Sequence, residues 1–118
     1  MNPTTVVWHS NNVTGDIREQ LVFAGRGLIL EVSGENTSGV DVFIQLFDLA
    51  AVPANGIATN MLFAPVRVPA GGRFSWVYSD SDDKFIATAG LVVVASTTKY
   101  TKTTVLAASI DLTVRYKQ

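Results

Sequence analysis

An all-β fold, an antiparallel β-sandwich of jelly-roll or Greek-key type with about eight short strands, follows from three features of this 118-residue chain. Apolar and polar residues alternate with period two in several stretches, as they do in strands with one buried face. Turn residues recur at intervals of roughly 8–12 residues, a spacing that suits a sandwich better than an open meander. No stretch reads as a long helix. The length predicts a single domain over residues 1–118, with the small polar residues 1–5 as a flexible N-terminal arm. Surface scaling for a chain of this size buries about two-thirds of the unfolded surface, enough for one core without staples.

The key stretch is Val40 to Phe47. Val40, Val42, Ile44 and Leu46 form an apolar face, while Asp41, Phe43, Gln45 and Phe47 mix polar and aromatic groups on the other. Two phenylalanines on an outer face need cover from a loop, a second layer or another subunit. Upstream, Thr5 to His9 reads as a first strand with Val6 and Trp8 on one face. Ser10 to Asp16 is a loop, and Ile17 to Phe23 an edge strand whose apolar face, Ile17, Leu21 and Phe23, is broken by Glu19. Leu28 to Val32 follows a Gly-Arg-Gly turn, stops at Gly34, and forms with the key strand a β-hairpin across a polar connection. Downstream, Leu49 to Asn60 holds an Asn55-Gly56 turn, and Pro65 marks Met61 to Val68 as an edge strand or bulge. Arg73 to Tyr78 turns Phe74, Trp76 and Tyr78 inward, the largest aromatic contribution to the core. A short extended segment falls between Phe85 and Gly90. Leu91 to Ala95 is apolar on both faces, as in a strand covered on both sides. Ser96 to Thr104 is a long hairpin loop or polar edge, and the stretch ending at Lys117 alternates Ile110, Leu112, Val114 and Tyr116 inward with Asp111, Thr113, Arg115 and Lys117 outward.

Composition narrows the functions. Net charge is −1 with no Lys/Arg cluster, which argues against nucleic acid as a partner. No apolar run approaches the roughly 20 residues of a membrane span, and the N-terminus lacks a signal-peptide layout. With no cysteine, neither a disulfide framework nor a thiolate metal site is available. Charged residues are only 16% of the chain, below the usual quarter, which hints at surface that is dry in use, as in an oligomer.

Little here points to catalysis, and the chain is expected not to be an enzyme and to need no cofactor. The single histidine, His9, is adjacent to Ser10, and neighbouring strand residues face opposite ways, so the pair makes a poor dyad. One His without Cys does not supply a zinc site. Asp80, Asp82 and Asp83 are weak candidates for a hard cation, since alternate carboxylates converge in a turn, but the loop lacks a distal Glu and the Gly of a calcium loop. It reads more simply as a solvated turn. Whether any two carboxylates stand at glycosidase spacing is not legible from sequence. Asn12-Val13-Thr14 and Asn36-Thr37-Ser38 match the glycosylation pattern and read as loop residues. Trp8, Trp76 and Tyr78 suggest a sugar-stacking platform, although the alternation assigns Trp76 and Tyr78 to the core.

Three stretches in order carry a resemblance. They are Gln45 to Gly56 (QLFDLAAVPANG), Pro65 to Gly72 (PVRVPAGG) and Ala89 to Thr98 (AGLVVVASTT). This order resembles small β-sandwich virion structural proteins of tailed bacteriophages, of the capsid decoration, cement or head-fibre type. The resemblance covers about the last three-quarters of the chain and rests on turn motifs, which speak to fold and lineage more than to task. It implies a non-enzymatic decoration or cement protein that bridges major capsid subunits as a homo-oligomer, often a trimer. The protein would be made in the host cytoplasm and reside on the capsid surface of the virion. A receptor- or carbohydrate-binding module of a head fibre or tail is the alternative, and a tail-tube or neck component the next. The interface residues expected are Trp8, His9, Phe43 and Phe47.

Overall fold

The computed structural model describes residues 5–9, 19–57, 61–62, 65–77, 85–104 and 110–118. Nine strands run through them: β1 (Thr5–His9), β2 (Glu19–Ala24), β3 (Gly27–Asn36), β4 (Val42–Phe47), β5 (Val66–Val68), β6 (Arg73–Val77), β7 (Ile86–Ala87), β8 (Gly90–Ser96) and β9 (Ile110–Lys117). They form two antiparallel sheets. One has the order β1-β9-β3-β6, with the two-residue β7 also paired to β3, and the other has the order β2-β8-β4-β5. Without β7, this is the strand order of a jelly roll: successive strands alternate between sheets except for the β4-β5 hairpin, and the first and last strands pair.

The inner faces follow the alternation except at two register shifts, one in β2 and one in β3 between Ile29 and Glu31, which brings Ile29 to the same core as Val32. Ile29, Val32, Phe74, Leu112, Val114 and Tyr116 from the first sheet meet Phe23, Val42, Ile44, Leu46, Leu91 and Val93 from the second in one core. Phe23 and Tyr116 stack across it at 4.5 Å between centroids. Trp8 and Trp76 lie half-buried against the same core. Each fully buried Val, Leu, Ile or Phe contributes about 1.5–3 kcal/mol by its removal from water.

Several sequence expectations change in detail. β3 and β4 are not a hairpin, because they lie in opposite sheets. β3 also runs past Gly34 to Asn36. Gly34 lets it pass: a Cβ there would strike the Asp111 carbonyl oxygen and reach the Phe74 ring at 3.0 Å. At the corner, Asn36 is fully buried. Its Nδ2 donates to the carbonyls of Val40 (2.8 Å), Val68 (3.2 Å) and Pro69 (3.2 Å), and its Oδ1 accepts from the Ser38 N–H at 3.0 Å and hydroxyl at 2.6 Å. This knot holds the chain where it leaves one sheet for the other. In β2, a bulge between Leu21 and Phe23 shifts the register, so Leu21 is exposed while Val22 and Phe23 are both buried. Ile17, Tyr78 and the Asn12 motif lie outside the described residues.

The expected two-sided strand is β8, buried along its whole length. Its outer face is covered by the chain's own loops. Gln45, fully buried, donates from Nε2 to the carbonyls of Thr98 (3.0 Å), Lys99 (3.1 Å) and Thr101 (2.9 Å). The 97–104 loop is thereby drawn down over the sheet. It is tied in turn to the segment after β4: the Gly56 N–H donates to the Lys102 carbonyl at 2.7 Å, and the Lys102 N–H to the Ile57 carbonyl at 2.9 Å. Lys102 is 3% exposed, and its ammonium reaches Glu19 and donates to the Asn55 side-chain Oδ1. The glutamate that interrupts the apolar pattern of β2 therefore has a partner in the loop above.

Candidate functional site

The outward residues of the first sheet assemble into rows because β9, β3 and β6 pair in register. Ser33 stands between Thr113 and Ser75, and Glu35 between Asp111 and Arg73. Directly opposed side chains in such a pair have Cβ atoms roughly 4.5–5.5 Å apart. The hydroxyl row is short and the charged row long, so the surface dips between them. The result is an open trough of about 500 Å³ lined by Ser33, Glu35, Arg73, Ser75, Asp111 and Thr113, with backbone from Gly34 and Phe74 at its base. On its other side Glu31 pairs with Arg115 at 2.8 Å, beside Val77, which is 67% exposed. β1 extends the hydroxyl row, since His9 lies opposite Thr113 and its Nδ1 is 3.0 Å from Thr113 Oγ1.

Chemically, this surface offers hydroxyl donors and acceptors on its floor, with carboxylates and a guanidinium at one rim. It suits recognition of polar groups. Among the described residues it presents no outward Phe, Tyr or Trp ring: Phe74 and Trp76 face the core, with ring centroids 5.5 Å apart. Among the described residues, no group of three or more His, Asp or Glu is placed to hold a metal ion.

The expected interface residues are not brought together. His9 is exposed on the outer face of β1, and Trp8 packs inward. Phe43 is half-buried on the outer face of the second sheet, opposite Ser96 and Arg67. Phe47 is a correction. It is fully buried with Val92 and Val94 in a second small core, against which Leu49 and Met61 pack. Its cover therefore comes from its own chain, and it offers nothing to a partner. Asp80, Asp82 and Asp83 fall outside the described residues.

Two other acidic groups are structural. The Asp48 carboxylate accepts from the N–H groups of Thr88 (3.0 Å), Ala89 (2.8 Å) and Gly90 (3.3 Å) and from the Thr88 hydroxyl (2.9 Å). Partial burial works to raise its pKa, but these donors outweigh it and hold the group below the ordinary carboxylate value. Asp41, assigned to the open face, is exposed there. The Ala70 N–H and then the Arg67 guanidinium lower its pKa. Asn36, read as a loop residue within a glycosylation pattern, is committed to the sheet corner. Any attached glycan would have to break that knot.

The trough, the Gln45 clamp and the Lys102–Glu19–Asn55 cluster were not readable from the linear sequence. Each joins residues from two or three strands or loops that are far apart in the chain. No family model matches this chain, and neither a curated protein nor a solved structure does.

Proposed function

We propose that this chain is a non-enzymatic virion structural protein of a tailed bacteriophage, a decoration or cement subunit that binds the outside of a capsid as a homo-oligomer and bridges major capsid subunits. The reading rests on the sequence resemblance. The structural observation that best supports it is the use made of the buried and half-buried polar groups. Asn36, Gln45, Lys102 and Asp48 all bind the chain's own backbone or side chains and hold its loops against the sheets. Such a molecule is a preformed block, suited to contacts that need little ordering on binding. A jelly roll is also a common plan for capsid proteins, an argument by analogy of fold. On a shell, many weak copies act together and raise the effective affinity. Exposed Val7, Val77 and Val66 and half-buried Phe43 are among the apolar groups available for such contacts.

The test is co-sedimentation of purified protein with undecorated capsids. Saturable retention at hundreds of copies per particle is the expected result. No retention at any salt concentration would overturn the reading, and six or twelve copies would move the protein to the neck.

The trough favours a second reading, a receptor- or carbohydrate-binding module of a head fibre or tail. Its polar floor and charged rim suit a hydroxyl-rich ligand, while its lack of an outward Phe, Tyr or Trp among the described residues weighs against strong sugar stacking. A glycan array probed with and without calcium decides it, and no hits would retire it.

A further inference from the structure

The sheets end at four strands, and three of these edges carry features that discourage further pairing. β5 is three residues long, holds Arg67, and lies between Pro65 and Pro69, neither of which has an N–H. β2 begins at Glu19 and is broken by its bulge. β6 begins at Arg73 and shares its side of β3 with β7, which interrupts that edge. Short strands, prolines, charges and bulges are the usual guards of a sheet edge.

β1 has none of these. Thr5–His9 contains no proline, glycine, Asp, Glu, Lys or Arg, and it keeps an unbroken five-pair register with β9 from Thr5↔Lys117 to His9↔Thr113. It ends its sheet, and among the described residues no strand pairs with its outer side. Val6 is 40% exposed and Val7 50% exposed. The strand also reads alike in both directions: polar, three apolar, polar. An antiparallel copy centred on Val7 sets Val7 against the partner's Val7, Val6 against the partner's Trp8, and Thr5 against the partner's His9. Every pair matches in polarity and no like charges meet, as a two-fold, self-complementary contact requires. A foreign strand would have no need of this symmetry.

We infer that the free edge of β1 pairs with β1 of a second copy, joining two β1-β9-β3-β6 sheets into one continuous sheet across a two-fold axis. This deepens the self-association invoked above and rests on that reading only for its use on a shell, because the dimer forms without a capsid. A single five-residue pairing is small beside a standard interface, so the dimer dissociates on the order of micromolar concentrations.

Sedimentation equilibrium of the full chain from about 1 µM to about 1 mM tests it. Wild type is expected to move from monomer to dimer over this range. Val7→Lys opposes two ammonium groups across the axis and should raise the Kd at least ~10-fold. Val7→Glu should do the same, and an equimolar mixture of the two variants should recover association as a heterodimer. Val77→Lys, at the far edge of the same sheet, should leave the dimer unchanged. Circular dichroism and the Tm establish that each variant is folded. Wild type that stays monomeric at about 1 mM would overturn the inference. So would folded Val7→Lys that dimerises like wild type, or a Lys/Glu mixture that fails to recover. Should a Val7 variant fail to fold, a crosslink between copies carrying Thr5→Cys and His9→Cys replaces it. Its absence under oxidising conditions, at concentrations where wild type is dimeric, would equally overturn the inference. Loss of capsid binding with the dimer intact would count against the virion reading alone.

Discussion

Replacing Asn36 with alanine removes the knot where the chain changes sheets. Three carbonyls lose their donor, of which the Val68 bond is buried and the Val40 and Pro69 bonds partly so. The Ser38 N–H and hydroxyl lose their acceptor. A buried group left without a partner costs about 1–3 kcal/mol, and a part-exposed one, which water can reach, about 0.5–1.5 kcal/mol. Because Nδ2 has only two hydrogens to share among three carbonyls, one buried and three part-buried bonds are lost, about 2.5–7.5 kcal/mol in all. Domains of this length are stable by about 6–18 kcal/mol, so the loss is a large fraction. With an unfolding entropy of about 250 cal/mol/K for this length, the Tm should fall by about 10–30 °C. Differential scanning calorimetry reads this directly. Hydrogen exchange should also quicken at Gly71 and at Asn36 itself, whose N–H groups pair with the Asn36 and Gly72 carbonyls across the same corner. Ser38→Ala, which removes only hydroxyl contacts, should cost about 0.5–1.5 kcal/mol. A Tm drop below about 4 °C for Asn36→Ala would refute the claim that this side chain anchors the crossover.

Phe47→Ala should destabilise by about 3–5 kcal/mol in urea titration, since it empties the second small core, whereas Phe43→Ala at its half-buried site should cost about 1 kcal/mol. Equal costs would contradict the covered face described for β4. Gly90→Ala should leave little folded protein by circular dichroism, because Gly90 has a φ of +156° and a Cβ there would lie 2.5 Å from the Leu49 carbonyl oxygen and 2.7 Å from that of Phe23. Asp48 has its pKa lowered on folding, so its contribution is present above the unfolded value and is lost as pH falls through the folded one. Wild type should therefore lose stability as pH drops below about 4, and Asp48→Asn should flatten that slope in acid-unfolding curves. Lys102→Met should loosen the 97–104 loop over the second sheet, seen as faster exchange at the Thr97 and Lys102 amides, with the two-sheet core preserved.

The alternation of single strands lay open in the chain, because whether a residue faces in or out depends on period-two patterning within a few residues. That is why β1, β4, β6, β8 and β9, the edge positions of β2 and β5, and the outward place of Asp41 all emerge from the sequence. What the sequence could not decide was which strands become neighbours. Pairing depends on contacts between segments tens of residues apart, and two strands joined by a six-residue polar loop look like a hairpin whether they pair or cross between layers. The fate of the outer faces was hidden for the same reason. Phe47 and Gln45 sit on the outer face of β4, which the two phenylalanines mark as needing cover from a loop, a second layer or another subunit, and only the fold shows that the cover is the chain's own, with the 97–104 loop drawn onto Gln45 and Met61 and Leu49 packed around Phe47. The trough, likewise, exists only once Ser33, Ser75 and Thr113 are set side by side. A local pattern tells each residue which way to turn, but only the long-range register tells it what it will meet there.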